Sequence, residues 1–447
     1  MGRLFGTDGV RGVANLDLTA ERALAIAVAA AHVVLGESTA GGSRPRAVVG
    51  RDPRASGELL EAAVVAGLAS AGVDVVRLGV LPTPGVAFLA AASEAGLGVV
   101  LSASHNPMPD NGIKLFDGFG YKLADAVEDE IEARLAESWV RPTGAGVGRV
   151  YDDPAAVRGY AEHLLAALPY PLDGLRVVVD CANGAASSVA PEVLRKAGAD
   201  VVAVAADPDG LNINDGVGST YPEVLGAAVR NLGADAGVCH DGDADRCLAV
   251  DASGRLVDGD VILAVCALAA QERSQLPGDA VVSTVMANLG FRQAMSAHGI
   301  RVVETPVGDR YVLEAMRREQ IALGGEQSGH LVFLDHATTG DGILTALQLL
   351  GHVARTGRPL AELASVVTRL PQVLLGVRVP DPAAVVASAE LSREIDEVIA
   401  DLGDDGRVLV RASGTEPVVR VMVEARTEER AMAVARRLAL VVDPAWR

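Results

Sequence analysis

The chain has 447 residues, half of them apolar, which is enough core material for about three domains, with two or four also compatible. Its formal net charge of −19 at pH 7 argues against nucleic acid or an anionic membrane as the main partner, because both would repel an acidic surface. The four cysteines have neither C-x-x-C nor zinc-finger spacing, so they fit a reduced compartment better than a disulfide framework.

The N-terminus begins "MGRLFGTDGV" and has no apolar segment of the kind that a signal peptide needs. No apolar run is long enough to span a bilayer, so we expect no membrane partner and a cytoplasmic protein. The glycines and polar residues of "FGTDGVRG" (5–12) predict a loop. Arg11 in this loop is a candidate charge partner for a phosphate, and a solvated arginine is the alternative.

A strand–helix–strand pattern recurs three times, each copy with a β-branched strand, an amphipathic helix and a second strand opened by a glycine turn. The pattern is typical of βαβ units with parallel strands. Three copies indicate three similar α/β domains, although βαβ units are common enough to recur by chance. The copies begin at "RAVVGRD", "RVVVDCANG" and "AVVSTVMAN".

The C-terminal stretch has a different order and predicts a small α+β unit. "LPQVLLGVRV" reads as a strand, and "DPAAVVASAELSREIDEVIADL" as one helix opened by Asp-Pro. The strands "GRVLVRAS" and "PVVRVMVEA" and a last helix follow. We therefore expect domains at 1–150, 151–255, 256–370 and 371–447.

The first polar loop whose residues could take part in catalysis is "LSASHNPMPDNGIKLF" (101–116), directly after a buried strand. Ser104 beside His105 invites a serine-hydrolase interpretation, but the G-x-S-x-G elbow is absent. Neighbouring side chains of an extended chain point to opposite sides, so we expect His105 to be poorly placed to deprotonate Ser104. A polar turn at Asn106-Pro107 is the alternative.

The second loop is "HDGDADRC" (240–247), in which Asp241, Asp243 and Asp245 alternate. Residues i, i+2 and i+4 of an extended segment converge on one side, and three carboxylates there need a cation such as Mg²⁺, Mn²⁺ or Ca²⁺. An EF-hand is excluded, because Arg246 and Ala252 stand where it needs Gly and Glu. An exposed acidic turn fits less well, because apolar strands flank the loop.

Two further loops have binding patterns. In "GGEQSGH" (324–330), Glu326, Ser328 and His330 lie between glycines and suit sugar hydroxyls, unless the segment is a flexible surface turn. In "RASGTEPVVR" (411–420), a turn lies between two arginines and suits a phosphate, unless the arginines are solvated. The residues of this second set are Arg411, Ser413, Gly414, Thr415 and Arg420. No Walker lysine or G-x-G-x-x-G occurs, so no nucleotide site is indicated.

Together and in this order, the five motifs resemble those of the α-D-phosphohexomutase superfamily over essentially the whole chain. The resemblance implies three similar α/β domains with mixed or parallel sheets and a small C-terminal α+β domain, around a central cleft. It also implies that Ser104 carries a phosphoryl group. By the same resemblance, Asp241, Asp243 and Asp245 hold Mg²⁺ together with the phosphate on that serine.

The resemblance assigns the loop at 324–330 to the sugar, with Gly308 and Asp309 also at the substrate, and the loop at 411–420 to a phosphate. Lys114 and Arg246 are expected to stabilise the transferring phosphoryl or to assist proton transfer, and Arg11 joins them as a catalytic candidate. Phosphoryl transfer depends on in-line positioning and charge neutralisation, which agrees with this residue set.

Two patterns resemble the branch of the superfamily that acts on glucosamine 6-phosphate. Gln327 stands where the glucose and mannose enzymes usually have Met, and "PVGDRYV" lacks their His-Lys pair near Asp309. The resemblance implies that glucosamine 1-phosphate is formed through a 1,6-bisphosphate intermediate. The glucosamine 1-phosphate would then feed UDP-N-acetylglucosamine and cell-wall synthesis. The alternatives are an enzyme for mannose and glucose phosphates and a non-catalytic sugar-phosphate-binding protein. A homodimer is compatible with the sequence.

Overall fold

In a computed structural model of the chain, residues 3–6, 8–36, 44–413 and 417–446 are described. Two compact units result: Met1–Met286 with Arg301–Ser365, and Ala287–Ile300 with Val366–Arg447. The first unit contains three sheets and the second contains one. Within the described residues, no helix has both the length and the apolarity that a bilayer crossing requires.

The first sheet has six strands and is mixed. Its elements and their helices are β1 (Val10–Val13), α1 (Ala20–Ala30), β2 (Arg46–Arg51), α2 (Ser56–Ser70), β3 (Asp74–Val80), α3 (Thr83–Ala92), β4 (Leu97–Leu101), β5 (Asp110–Asp117), α4 (Asp125–Ala133) and β6 (Val150–Asp152). The order is β1-β5-β4-β2-β3-β6, with β1 and β4 antiparallel to β5 and the other pairs parallel.

One prediction in this region is wrong: the segment 5–12 is not all loop. The strand β1 begins at Val10, and Arg11 lies opposite Gly112 of β5. The antiparallel partner satisfies the backbone groups, which the local glycine content did not indicate. β4 is buried along its whole length, as its uninterrupted apolar run "LGVVL" predicts, and it ends directly before the serine loop.

The second sheet has five strands. Its elements are α5 (Ala156–Ala166), β7 (Arg176–Asp180), α6 (Ala190–Lys196), β8 (Asp200–Val204), α7 (Pro222–Leu232), β9 (Ala236–Cys239), β10 (Leu248–Asp251) and β11 (Leu256–Val257). The order is β11-β10-β9-β7-β8. β9 and β10 are antiparallel, with Cys239 opposite Leu248, so the aspartate loop is the connection of a hairpin.

The third sheet has four strands in the order β13-β12-β14-β15. The elements of this region are α8 (Gly259–Glu272), β12 (Ala280–Thr284), α9 (Leu289–Ala297), β13 (Arg301–Thr305), α10 (Asp309–Glu319), β14 (Leu323–Gly325), β15 (Leu331–Phe333), α11 (Gly342–Thr356) and α12 (Leu360–Ala364). The loop at 324–330 joins the antiparallel strands β14 and β15. All three predicted βαβ units are confirmed, because β2/β3, β7/β8 and β12/β13 are parallel pairs.

The fourth sheet is antiparallel throughout, in the order β16-β18-β17. Its elements are β16 (Gln372–Arg378), α13 (Pro382–Val386), α14 (Ala389–Leu402), β17 (Gly406–Ala412), β18 (Val418–Ala425) and α15 (Glu428–Val442). The single helix predicted after β16 is wrong, because two helices occupy the segment. Ser388 starts the second one by accepting the N–H of Leu391 at 3.3 Å, which makes it an N-cap.

Candidate active site

The aspartate loop between β9 and β10 is fixed by backbone hydrogen bonds from three different parts of the first unit. Three consecutive carbonyl oxygens of the loop each accept an N–H from another segment. The pairs are Gly242 with Ala185 (2.8 Å), Asp243 with Thr83 (3.0 Å) and Ala244 with Gly342 (2.9 Å). Thr83 begins α3 and Gly342 begins α11, so elements of all three sheet regions position this loop.

The three aspartates converge as their spacing predicts. One oxygen of each lies within 4.8 Å of the others, and all three side chains are buried. Among the described side chains, Asp243 Oδ1 and Asp245 Oδ1 find no hydrogen-bond donor. Burial and repulsion from the two neighbouring carboxylates raise the pKa of Asp241 well above its usual range. Buried oxygen ligands without donors fit a divalent cation of the hard class.

Ser104 lies beside this group and is almost fully buried. Its Oγ donates to Asp241 Oδ2 at 2.5 Å and lies 3.2 Å from His105 Nδ1. The expectation that His105 points away from Ser104 is therefore wrong. The chain is not extended here, because Ser104 has φ 51°, which brings the two side chains to one side. Burial, followed by nearby Arg246 and Arg11, lowers the pKa of His105 to about 4.

Lys114, in the middle of β5, is the positive charge of the buried cluster. Its Nζ lies 2.8 Å from Asp243 Oδ2, 3.3 Å from Asp245 Oδ2 and 2.9 Å from Asp8 Oδ2. Burial opposes its charge, but these carboxylates outweigh burial and raise the pKa of Lys114 well above its usual range. Lys114 is therefore protonated at neutral pH and offsets part of the negative charge of the loop.

Asp8 is a carboxylate that contacts three positive side chains, Lys114, Lys122 and Arg11. It accepts from Arg11 and, at 2.5 Å, from Lys122, which also pairs with Asp309. Burial works against its ionisation, but Lys114, Lys122 and Arg11 hold the pKa of Asp8 well below its usual range. Asp8 thus remains a carboxylate at neutral pH and fixes these cations rather than exchanging protons.

Of the two predicted arginines, Arg11 contacts the serine loop and Arg246 belongs to the aspartate loop. Arg11 Nη1 donates to Asn106 Oδ1 at 3.1 Å. Arg246 Nε lies 3.9 Å from Asp245 Oδ1, and its backbone N–H donates to Asp241 Oδ1 at 3.2 Å. Burial opposes the charge of Arg246, but Asp241 and Asp245 raise its pKa above the usual value. Both guanidinium groups are available for charge stabilisation.

The loop at 324–330 contacts the segment before α10. Glu326 Oε1 accepts the backbone N–H of Gly308 at 3.1 Å, so two of the predicted substrate residues are in direct contact. Ser328 Oγ and Gln327 Nε2 are buried atoms with no hydrogen-bond partner among the described residues. Such polar atoms are stabilised when a ligand supplies the missing bond.

His330 links this loop to the aspartates. Its Nε2 accepts the N–H of Gly340 at 3.1 Å, which places the proton of the neutral ring on Nδ1. That nitrogen lies 3.7 Å from Asp245 Oδ1, and Nε2 lies 3.7 Å from Asp309 Oδ2. Burial opposes a charge on the ring, but the nearby carboxylates of Asp245 and Asp309 raise the pKa of His330.

A cavity of about 450 Å³ opens onto these groups. Its size is that of an ordinary small-molecule site. The predicted site residues that line it are Arg11, Asp245, Arg246, Gly308, Asp309, Glu326 and His330. Asp8 and His105 line it as well, so carboxylates and arginines face the same space.

In the second unit, Arg411 of β17 lies directly opposite Arg420 of β18. Burial and then the charge of Arg420 lower the pKa of Arg411. Two like charges in register repel, and an anion between them would relieve this repulsion. Ser413 N–H donates to Val418 O at 2.8 Å, which extends the pairing of β17 with β18 by one residue. The predicted ligands Gly414 and Thr415 lie outside the described residues.

Several residues of the site were not predicted from the sequence. Asp8 and Lys122 form an ion pair beside the site, and Thr83 Oγ1 donates to Asp243 Oδ2 at 2.6 Å. Asp8 belongs to "FGTDGVRG", so its neighbour Arg11 drew attention to the correct segment. Thr83 and Lys122 had no local signal, because their role comes from contacts that are distant in the chain.

Models of the phosphoglucomutase/phosphomannomutase family match four consecutive segments of the chain. They are alpha/beta/alpha domain I at 2–139, alpha/beta/alpha domain II at 158–254, alpha/beta/alpha domain III at 258–370 and the C-terminal domain at 374–441. Together these matches cover nearly the whole chain.

Curated relatives share the full length. The phosphoglucosamine mutase of Acidothermus cellulolyticus is 66% identical over 440 residues, covering 98% of this chain and 95% of that one. The phosphoglucosamine mutase of Streptomyces griseus is 64% identical over 450 residues, covering all of both chains.

Solved structures show the same fold. A phosphoglucomutase/phosphomannomutase family protein from Burkholderia thailandensis has a TM-score of 0.85 at 28% identity, covering 100% of this chain and 98% of that one. The N-acetylphosphoglucosamine mutase of Aspergillus fumigatus, solved with GlcNAc-6P and magnesium, has a TM-score of 0.69 at 21% identity and covers 99% of this chain and 96% of that one.

Proposed function

Because the chain belongs to the phosphoglucosamine mutase family, we propose that it interconverts glucosamine 6-phosphate and glucosamine 1-phosphate. Ser104 is the proposed carrier of the phosphoryl group, and a 1,6-bisphosphate is the proposed intermediate. The observation that supports this best is the 2.5 Å contact between Ser104 Oγ and Asp241 of the aspartate loop. This contact supports the proposal, because the proposed nucleophile and one of the proposed metal ligands are neighbours.

The reaction consists of two transfers in opposite directions. In the first, the bond between Ser104 Oγ and phosphorus breaks, a sugar hydroxyl forms a new bond to the same phosphorus, and the proton that the hydroxyl loses is balanced by the proton that Ser104 Oγ gains. In the second, the bisphosphate returns the phosphoryl from its other position to Ser104. Lys114 and Arg246 stabilise the negative charge on the transferring oxygens. Their raised pKa values favour this role over proton transfer.

We propose Mg²⁺ as the divalent ion, held by Asp241, Asp243, Asp245 and a phosphate oxygen on Ser104. The two aspartate oxygens without donors support this assignment. When bound, the ion would neutralise negative charge on the transferring phosphoryl group.

The substrate is proposed to bind in the cavity next to these groups. Glu326, Ser328 and His330 are assigned to its hydroxyl and amino groups, with Gly308 and Asp309 beside them. Ser328 Oγ and Gln327 Nε2 support this assignment, because they have no hydrogen-bond partner among the described residues and sugar hydroxyls can both donate and accept. The product would feed UDP-N-acetylglucosamine and cell-wall synthesis.

The division into domains near residues 150, 255 and 370 stays a proposal, as do a homodimer and a cytoplasmic location. The four cysteines support the location, because all are buried and unpaired and fit a reducing compartment. Gel filtration with light scattering would test the dimer.

We expect glucosamine 6-phosphate to have a higher specificity constant than the glucose and mannose phosphates. The test is steady-state kinetics of the purified protein on all three sugars side by side. Gln327→Met is the matched variant, because it changes the loop residue that distinguishes the branches, and it should narrow the preference. Equal constants for the three sugars would contradict the amino-sugar assignment and leave the family unaffected.

Arg420→Ala is expected to raise KM much more than it lowers kcat. The phosphate proposed to bind Arg411 and Arg420 is the one not being transferred, so its contacts act equally on ground state and transition state. A charge-assisted hydrogen bond contributes roughly 1.5–3 kcal/mol, so KM should rise roughly ten- to a hundredfold.

The matched control for this variant is Arg426→Ala, because the Arg426 side chain is 74% exposed and pairs with Asp405. The control should keep KM near that of the wild type. A KM within twofold of wild type for Arg420→Ala would show that the arginine pair does not bind the substrate.

A further inference from the structure

The backbone of the serine loop is held by Arg54, which lies three residues after β2. All five guanidinium donors are engaged. Nη1 donates to the carbonyl oxygens of Pro107 (2.5 Å) and Asp110 (3.0 Å), and Nη2 to those of Ser104 (3.0 Å) and Asn106 (2.8 Å). Nε donates to Asp52 Oδ2 at 2.9 Å.

This arginine is fully buried, and so is its partner Asp52. Asp52 also accepts from Ser102 Oγ at 2.7 Å, and Ser102 Oγ in turn accepts the N–H of Ser104 at 2.9 Å. Burying a charged pair is costly unless hydrogen bonds satisfy both groups. Here they do, and the bonds converge on the backbone of the reactive serine from both sides.

Asn214 holds the same carbonyls from a different part of the first unit. It lies between β8 and α7, and its side chain is nearly buried. Its Nδ2 donates to Ser104 O at 2.8 Å and to Asn106 O at 3.0 Å. The oxygens of Ser104 and Asn106 thus each accept one bond from Arg54 and one from Asn214.

The Ser104 carbonyl also marks the contact between the serine loop and the aspartate loop. A Cβ atom at Gly242 would lie 2.6 Å from this oxygen and 3.1 Å from Asn214 Nδ2. The three groups are therefore in direct contact, and a shift of the Ser104 carbonyl changes the distance between Ser104 Oγ and the aspartates.

We propose that Asn214 is a positioning residue for phosphoryl transfer, acting with Arg54 through the Ser104 carbonyl. The proposal rests on the proposed function, because it concerns the same serine. In-line transfer is sensitive to placement, and a displacement of about 1 Å can cost roughly a hundredfold in rate. Asn214 does not line the substrate cavity, so it acts on the serine rather than on substrate affinity.

The test is Asn214→Gly, compared with Asn212→Gly. Asn214 has φ 58°, which glycine adopts without strain. The variant therefore removes the two donor contacts and still allows the same backbone conformation. Asn212 lies in the same segment, but its Nδ2 donates to Asp207 O and not to the serine loop. Arg54 is unsuitable, because its loss would leave Asp52 buried without its cation.

We expect Asn214→Gly to lower kcat roughly ten- to a hundredfold with KM within about threefold, and Asn212→Gly to change neither by more than about twofold. Asn214→Asp, which keeps the size but places a carboxylate oxygen against the two carbonyls, should lower kcat as well. Intact mass reports the phosphorylated fraction, and circular dichroism the fold.

The outcomes separate the two proposals. A wild-type protein without mutase activity would contradict the proposed function. If the wild type is active, the positioning role would be overturned by equal kcat values for the two glycine variants. It would also be overturned if Asn214→Gly raised KM and left kcat unchanged. Failure of both Asn214 variants to fold, with Asn212→Gly folded, would assign Asn214 to stability alone and overturn it too.

Discussion

Ser104→Ala is expected to abolish mutase turnover, with a loss of more than a thousandfold, while the fold remains intact. The substitution removes the oxygen that would carry the phosphoryl group, and no other described hydroxyl contacts Asp241. The loop stays in place, because Arg54 and Asn214 bind its carbonyl oxygens rather than the serine side chain. The measurements are the coupled mutase assay and the unfolding midpoint.

The matched control is Ser187→Ala, because Ser187 Oγ has no hydrogen-bond partner among the described residues and lies outside the proposed site. Both variants should unfold near the wild-type midpoint, and only Ser104→Ala should lose activity. Intact mass should show a phosphorylated population in the control and none in Ser104→Ala. Wild-type turnover by Ser104→Ala, with a normal circular dichroism spectrum, would refute the phosphoserine assignment.

Asp243→Asn and Asp241→Asn should each lower activity and metal affinity at the proposed metal site. We expect them to have opposite effects on the stability of the metal-free protein. Asp243→Asn breaks the 2.8 Å pair with Lys114, so we expect a less stable protein. Asp241→Asn removes the carboxylate whose pKa is raised by burial and repulsion, and its amide can still contact Ser104 Oγ and the Arg246 N–H. We expect it to be more stable.

The sign follows from linkage. A carboxyl whose pKa is raised on folding destabilises the folded state at every pH above its unfolded pKa, and asparagine resembles the neutral acid. The experiment is urea unfolding in EDTA for both variants, together with activity against added Mg²⁺. Each variant should lose at least about a hundredfold in activity at fixed metal concentration, more than the loss typical of outer-shell changes.

The control for this pair is Asp251→Asn. This aspartate ends β10, pairs with Arg255 and lies outside the metal-binding group. It should leave the metal dependence of activity unchanged. Full activity of Asp243→Asn after exhaustive EDTA treatment would exclude the metal role, and equal stability of the two site variants would contradict the charge assignment.

The sequence predicted those features that depend on local spacing. The three βαβ units follow from alternating patterns of strand and helix, and the convergence of the aspartates from their i, i+2, i+4 spacing. The loop near Ser104 was identified because polar side chains directly follow a buried strand, and the loop near Glu326 because hydrogen-bonding side chains lie between glycines. These signals are short in range, and the structure confirms the elements that they predict.

Features that depend on distant contacts or on one unusual backbone angle were not predictable. From their spacing alone, neutralising Asp243 is expected to relieve repulsion and stabilise the metal-free protein. Because Asp243 pairs with Lys114, we instead expect that stabilisation when Asp241 is neutralised. The contact between His105 and Ser104 depends on a positive φ at a serine, for which no glycine or asparagine gave a signal. The start of α14 was readable in principle, because Ser388 is a preferred N-cap residue.

The backbone anchors of the aspartate loop bear on fragments and truncated versions of the chain. All three side chains of the proposed metal site precede residue 246, yet one of the three anchoring N–H groups belongs to Gly342, almost a hundred residues later. A fragment that ends after β11 would keep the hexapeptide "DGDADR" and lose the bond that fixes Ala244. The hexapeptide by itself therefore does not preserve the arrangement of the three aspartates, and a fragment has to extend at least to Gly342 to keep all three backbone anchors.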